Sequence, residues 1–140
     1  MIDFQFDNMS SFDFNPKHYF AWVKQVIAAE NHKTGDIFYH FCHDDFLLNI
    51  NRNYLQHDYL TDIITFPLSQ VPEVISGEIF ISIDRVRENA KLLEIPFKTE
   101  LARVLVHGIL HLLGYDDHTP EEKKVMRAKE DYYLSLLSSK

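Results

Sequence analysis

His107-Gly108-Ile109-Leu110-His111-Leu112-Leu113-Gly114-Tyr115-Asp116-Asp117-His118 decides how this chain reads. It sets two imidazoles four residues apart and gathers further metal-ligating residue types just behind a glycine. Residues four apart lie one above the other on an α-helix, so the spacing predicts that His107 and His111 direct ring nitrogens at a single ion. Gly114 stands where a helix C-terminus uses a left-handed residue, and the turn it permits swings Asp117 or His118 back toward the same ion. Three protein ligands with one position left open make the layout of a catalytic zinc site.

Pairs of histidines at this spacing occur by chance on many surfaces, and the surroundings separate this one from them. The helix carrying the pair reads Leu101, Ala102, Val104, Leu105, Val106, Ile109, Leu110, Leu112 and Leu113, apolar almost all round and so predicted buried. Buried imidazoles need partners, and one metal partners both. Peptidases of the His-Glu-x-x-His type place a general base beside the first histidine. Here that position is Gly108, which disfavours protease chemistry.

Outward from the His helix the pattern predicts an α+β domain spanning residues 1–140, with about four strands and about five helices and no repeat or long linker. Residues 2 to 6 alternate as a strand. Asn15 before Pro16 is a helix cap, with Phe20, Val23, Val26 and Ile27 as the apolar face of a helix ending near Glu30. Trp22 reads as packing. Asp36 to Cys42 alternates as a strand, and Asp44 caps a short helix through Asn53. Strands over Ile63 to Phe66 and Gly77 to Ile83 flank a proline-containing loop, Pro67 to Ser76, expected to border the active site. Asp84 begins a helix to about Leu93, and Thr99 caps the His helix. Thr119, Pro120 and Glu122 form a capping box for the last helix, whose expected buried stripe is Val125, Met126, Tyr132, Tyr133, Leu136 and Leu137.

With 140 residues, 46% of them apolar, the chain holds enough for one core. Lone Cys42 excludes an internal disulfide and reads as a small buried residue. No apolar run reaches the roughly 18 residues of a membrane span. The start, Met1 to Asp7, lacks a signal peptide's basic and apolar regions, so the expectation is a cytosolic protein without a membrane partner. The formal charge of −7 works against nucleic-acid binding, which draws on Lys and Arg. A local basic face would have to come from Lys17, Lys24, Arg85, Arg87, Lys91 and Lys98, each more simply read as solubilising charge.

The 107–118 segment resembles the signature of the YbeY family of bacterial metal-dependent endoribonucleases and ribosome-maturation factors, His-Gly-x-Leu-His-Leu-x-Gly-Tyr-Asp-His. It matches at His107, Gly108, Leu110, His111, Leu112, Gly114, Tyr115 and Asp116 and departs at the last position, where Asp117 stands and His118 comes one residue late. Keeping the family's spacing favours His107, His111 and Asp117 as ligands of one Zn²⁺, with His118 as the competing third ligand. A second stretch, Asn51 to Pro67, is similar to the family's Leu-Asn-x-x-Tyr/Phe-Arg-Gly-Lys-Asp-x-Pro-Thr-Asp-Val-Leu-Ser-Phe-Pro. The Thr61-Asp62 and Phe66-Pro67 pairs align, but the arginine falls on Leu55 and the Gly-Lys on Gln56 and His57. Arg52, three residues earlier, reads as an exposed helix residue. Gly77-Glu78-Ile79 resembles the family's Gly-Asp-Ile strand, and Glu100 precedes the His helix at the expected place.

The resemblance implies a mixed sheet beside helices, similar to zinc peptidases, with the metal ligands on a helix. It also implies cleavage of single-stranded RNA in the maturation of ribosomal RNA, at the 3′ end of the small-subunit RNA, with RNA or a ribosomal subunit as partner. Glu78 is the expected general base, with Asp62 the other acidic candidate. Two other readings remain: a ribosome-associated assembly factor with a structural metal and little cleavage, and a metallohydrolase of another substrate.

Overall fold

Alternation along Ile2–Phe6 (β1) and Lys33–Cys42 (β2) turns Ile2, Phe4 and Phe6 to the same side as Ile37, Tyr39 and Phe41, their partners in a parallel ladder. The computed structural model describes residues 1–55 and 61–137. Val74–Ser82 (β4) lies parallel to β2 on its other side, and Ile63–Pro67 (β3) pairs antiparallel with β4, giving a mixed sheet in the order β1-β2-β4-β3. Among the described residues five helices complete the α+β domain: α1 (Lys17–Ala29), α2 (Asp44–Tyr54), α3 (Ile83–Leu93), α4 (Phe97–Leu112) and α5 (Pro120–Ser135). The expected fold class, strand number and helix number are those observed.

The main core lies on one face of the sheet, where Val23 and Ile27 of α1, Val86 of α3 and Leu105 and Ile109 of α4 pack with Tyr39, Ile79 and Ile81. Helix α2 covers part of the opposite face through Leu47 and Ile50, which meet Cys42 and Ile64. Cys42 is fully buried as expected, and burial pushes its thiol up to about 12. At Gly108 α4 packs tightly against the strands. A Cβ there would stand 2.9 Å from Ile79 Cγ2 and 3.0 Å from Ile63 Cδ1. The residue that rules out a His-Glu-x-x-His base therefore has a packing reason to be glycine.

Several predicted boundaries move. β2 begins at Lys33 and β4 at Val74, because Lys33 and Thr34 pair with Val74 and Ile75, which shortens the expected 67–76 loop. α3 begins at Ile83, one residue before the expected Asp84, and Ser82 caps it: its hydroxyl accepts from the Arg85 N–H, while the Asp84 carboxylate accepts from the Asp44 N–H at 2.9 Å. α4 starts after Pro96, whose carbonyl accepts the Thr99 N–H, so Thr99 lies inside the first turn. Pro16, rather than Asn15, holds the cap position of α1. On α5 the capping box forms as expected, but the stripe is rotated: Met126, Glu130 and Tyr133 are buried, whereas Val125, Tyr132 and Leu136 are exposed.

Candidate metal centre

The C-terminal half of α4 carries the histidines, and the helix ends in a Schellman turn that fixes the chain behind them. Gly114 takes φ +104°, its N–H donates to the His111 carbonyl at 3.0 Å, and the Tyr115 N–H donates to the Leu110 carbonyl at 3.0 Å. The turn returns Asp117 to the helix. His107 Nε2 and His111 Nε2 stand 3.0 Å apart, and Asp117 Oδ2 lies 3.4 Å from the first and 3.6 Å from the second. Among the described residues these three form the group able to hold a metal ion, with one ligand atom from each and all within 4.8 Å.

Tyr115 locks this turn to the rest of the fold. Its hydroxyl donates to Glu30 Oε1 at 2.6 Å at the end of α1, and Glu30 also accepts from Lys129 Nζ at 3.0 Å and from the Tyr133 hydroxyl. The loop bearing Asp117 is thus tied to α1 and α5.

A buried ionic chain orients His107. Its Nδ1–H donates to Glu130 Oε2 at 2.5 Å, which leaves Nε2 with its lone pair facing His111 and Asp117. Arg103 joins Glu130 Oε1, 3.1 Å from Nη1, to Glu100, whose carboxylate accepts from Arg103 Nε at 2.8 Å and from Nη2. Glu100 and Glu130 are almost fully buried at 0% and 2% exposure, a placement that only pairing sustains. Burial alone would raise the Glu130 carboxyl, but His107 and Arg103 hold it below its ordinary value. Burial, together with the neighbouring His107, keeps the His111 imidazole below its own. A neutral His111 and an ionised Glu130 are the protonation states that a divalent cation needs of them. Two imidazole nitrogens and a carboxylate oxygen are a donor set that fits zinc.

The pair separates two clefts. On the His107 side, Asp62, Asp117, Lys123, Arg127 and Glu130 surround a space of about 320 Å³. On the His111 side, Asn51, Leu55, Thr61, Ile63 and His118 line one of about 260 Å³. Consecutive residues of the turn, Asp117 and His118, therefore face different clefts. His118 is exposed, and its backbone N–H donates to Glu122 Oε1 at 3.1 Å as part of the α5 cap.

Glu78 is not brought to this site. On β4, Gly77 approaches Leu112 of α4 and Ile79 meets Gly108, so alternation turns Glu78 to the opposite face of the sheet. There its Oε1 lies 3.2 Å from His40 Nε2, while His40 Nδ1 is 2.8 Å from Asp7 Oδ2. Asp62, the other acidic candidate, lines the His107 cleft, and burial raises its carboxyl despite the opposing pull of His107 and Arg103. Leu55 borders the His111 cleft, Arg52 is exposed on α2, and Gln56 and His57 lie outside the described residues. Glu130 and Arg103 were missed as site residues in the sequence. Their signal was there: Glu100, Arg103, His107 and His111 recur along one face of α4, and Glu130 falls in the helical phase of buried Met126 and Tyr133.

Fold and site together define a class: α+β proteins in which a buried helix and the turn that follows it present a His/His/carboxylate group able to hold a metal ion. The family described as Endoribonuclease YbeY matches residues 5–138. A relative of that name from Phocaeicola vulgatus is 46% identical, covering 99% of both chains, and one from Cytophaga hutchinsonii is 53% identical over 83% of this chain and 81% of its own. A solution structure of a Thermotoga maritima protein superposes with a TM-score of 0.62 at 29% identity, covering 98% of this chain and 89% of that one. This chain belongs to the YbeY family.

Proposed function

We propose that this protein is a zinc-dependent endoribonuclease that cuts single-stranded RNA in the cytoplasm and acts in ribosomal RNA maturation, at the 3′ end of the small-subunit RNA, as one unit over residues 1–140. The observation that carries this reading is the convergence of His107 Nε2, His111 Nε2 and Asp117 Oδ2 beside an open cleft. The names of its relatives support the reaction class. A zinc ion held by these three residues would supply a Lewis acid for a phosphoryl oxygen and bring the pKa of a bound water down toward about 7.

The chain's own residues divide the remaining work. Glu130 holds His107 in one tautomer and one orientation, and Arg103 and Glu100 hold Glu130. Asp62, facing the same cleft with a carboxyl raised by burial, is the group suited to take and return a proton, the role expected of Glu78 from sequence. The reconstituted protein is expected to cleave a single-stranded RNA and spare its duplex, and His111→Ala is expected to abolish cleavage. Activity that survives this substitution unchanged would refute the assignment. A second reading, a ribosome-associated assembly factor with a structural metal, draws on the acidic charge of −7 and on Leu55 in place of a cation. Co-sedimentation with ribosomal subunits without turnover of RNA would favour it.

A further inference from the structure

A strand of RNA brings a negative charge at every phosphate, and a chain of net charge −7 attracts it only where cations are locally concentrated. Three of the six basic residues singled out from sequence are engaged elsewhere in the fold. Arg85 Nε is bound to Asp44, Lys98 pairs with Asp13, and Arg87 lies over the Phe12 and Phe97 rings. Among cations at the metal centre, Arg103 is committed to Glu100 and Glu130.

Lys123 and Arg127 differ from these. Both are exposed, both line the cleft beside His107 and Asp117, and neither makes an ion pair with a described residue. They stand four residues apart in the first turns of α5, so they present adjacent charges from one helix face. The capping box fixes their position, since Thr119 and Glu122 satisfy each other's backbone N–H groups. The same box turns a Glu122 carboxylate oxygen to the N–H groups of His118 and Thr119. By contrast, the described walls of the His111 cleft include Asn51, Leu55, Thr61, Ile63 and His118, with no lysine or arginine among the described residues of its lining. Among the described residues lining the two clefts, the lysine and arginine side chains therefore lie on the His107 side, beside the carboxylates of Asp62, Asp117 and Glu130.

We infer that Lys123 and Arg127 form a phosphate clamp that holds the RNA backbone on the His107 side of the metal centre and so sets the direction from which the strand crosses it. This rests on the ribonuclease reading above. The clamp gives the acidic protein a local source of RNA affinity. It touches backbone phosphates rather than bases, so it adds affinity without sequence preference.

The test uses zinc-loaded full-length protein, a single-stranded RNA as substrate and a 2′-O-methyl version of it for binding by fluorescence anisotropy. The double variant Lys123→Gln/Arg127→Gln is compared with wild type and with Lys17→Gln/Lys24→Gln, which removes the same charge from α1. The clamp predicts that the α5 pair raises KM and Kd roughly tenfold with kcat little changed, and lowers the slope of log Kd against log salt by about 1.4, at about 0.7 per single-strand phosphate contact. Lys123→Arg/Arg127→Lys is expected to restore most of the affinity. An α5 pair with wild-type KM and salt slope overturns the clamp while cleavage by wild type leaves the ribonuclease reading standing. Equal losses from the α1 pair overturn it in favour of general charge. Wild-type protein that neither binds nor cuts the RNA defeats the ribonuclease reading and the clamp with it.

Discussion

Glu130 decides which nitrogen of His107 is offered to a metal. Its carboxylate accepts the Nδ1–H hydrogen bond at 2.5 Å, so the free lone pair is on Nε2, the atom 3.0 Å from His111 Nε2. Replacing it as Glu130→Gln preserves size but not charge. An amide in its place donates as readily as it accepts, the His107 tautomer loses its bias, and Arg103 loses one of its two counter-ions. Zinc affinity measured by calorimetry is expected to fall about 10- to 100-fold, the usual cost of losing a carboxylate behind a ligating histidine. Affinity equal to wild type would show that Glu130 serves folding alone. The histidine pair was legible in sequence because helical period is a local property, and so was Asp117 as a candidate, because Gly114 announces the turn. The helical phase of Glu130 marked it as buried but not what it touches, since its contact with His107 joins two helices across 23 residues. Glu78 was misplaced for a related reason: alternation states that a strand has two faces but not which one meets α4.

Between elements, the Glu30 junction ties the end of α1 to the metal turn and to α5 through Tyr115, Tyr133 and Lys129. Burial alone would raise the Glu30 carboxyl, and the donors from Tyr115, Tyr133 and Lys129 more than offset it, leaving the group below its ordinary value. A carboxylate depressed in the folded state stabilises the fold above its unfolded pKa, near 4.3, and loses that contribution as pH falls through the lower folded value. Glu30→Gln is thus expected to reduce stability at neutral pH and to narrow its deficit as pH drops from about 5 to 3, read as urea midpoints of variant and wild type. A deficit that stays constant across that range would mean the junction acts by packing and not by charge. Helix α5 shows how far such a junction could be foreseen. Its start was fixed by Thr119, Pro120 and Glu122, residues that act on their own backbone. Its buried face was not, because the aromatic and aliphatic residues chosen for the stripe include exposed Tyr132 and Leu136, while the face that packs on α4 spends a position on Glu130.

For the whole molecule, the candidate metal centre joins α4, the 113–119 turn and α5, so a metal that binds there only in the folded chain would add to global stability. The gain is RT ln(1 + [L]/Kd), about 2.7 kcal/mol at a hundredfold excess over Kd. In a 140-residue chain that raises the thermal midpoint by several degrees. The contribution of each ligand then follows from its geometry. Asp117 faces both imidazoles, so Asp117→Ala is expected to remove most of the zinc-dependent rise. His118 lies in the other cleft, so His118→Ala is expected to keep it. Thermal melts with and without zinc, run on wild type, the two variants and His111→Ala, separate the cases. His111→Ala should melt at the same temperature with or without the metal. If His118→Ala loses the rise and Asp117→Ala retains it, the turn must rearrange when metal binds, exchanging one ligand for its neighbour at the cost of the His118 N–H bond that helps cap α5.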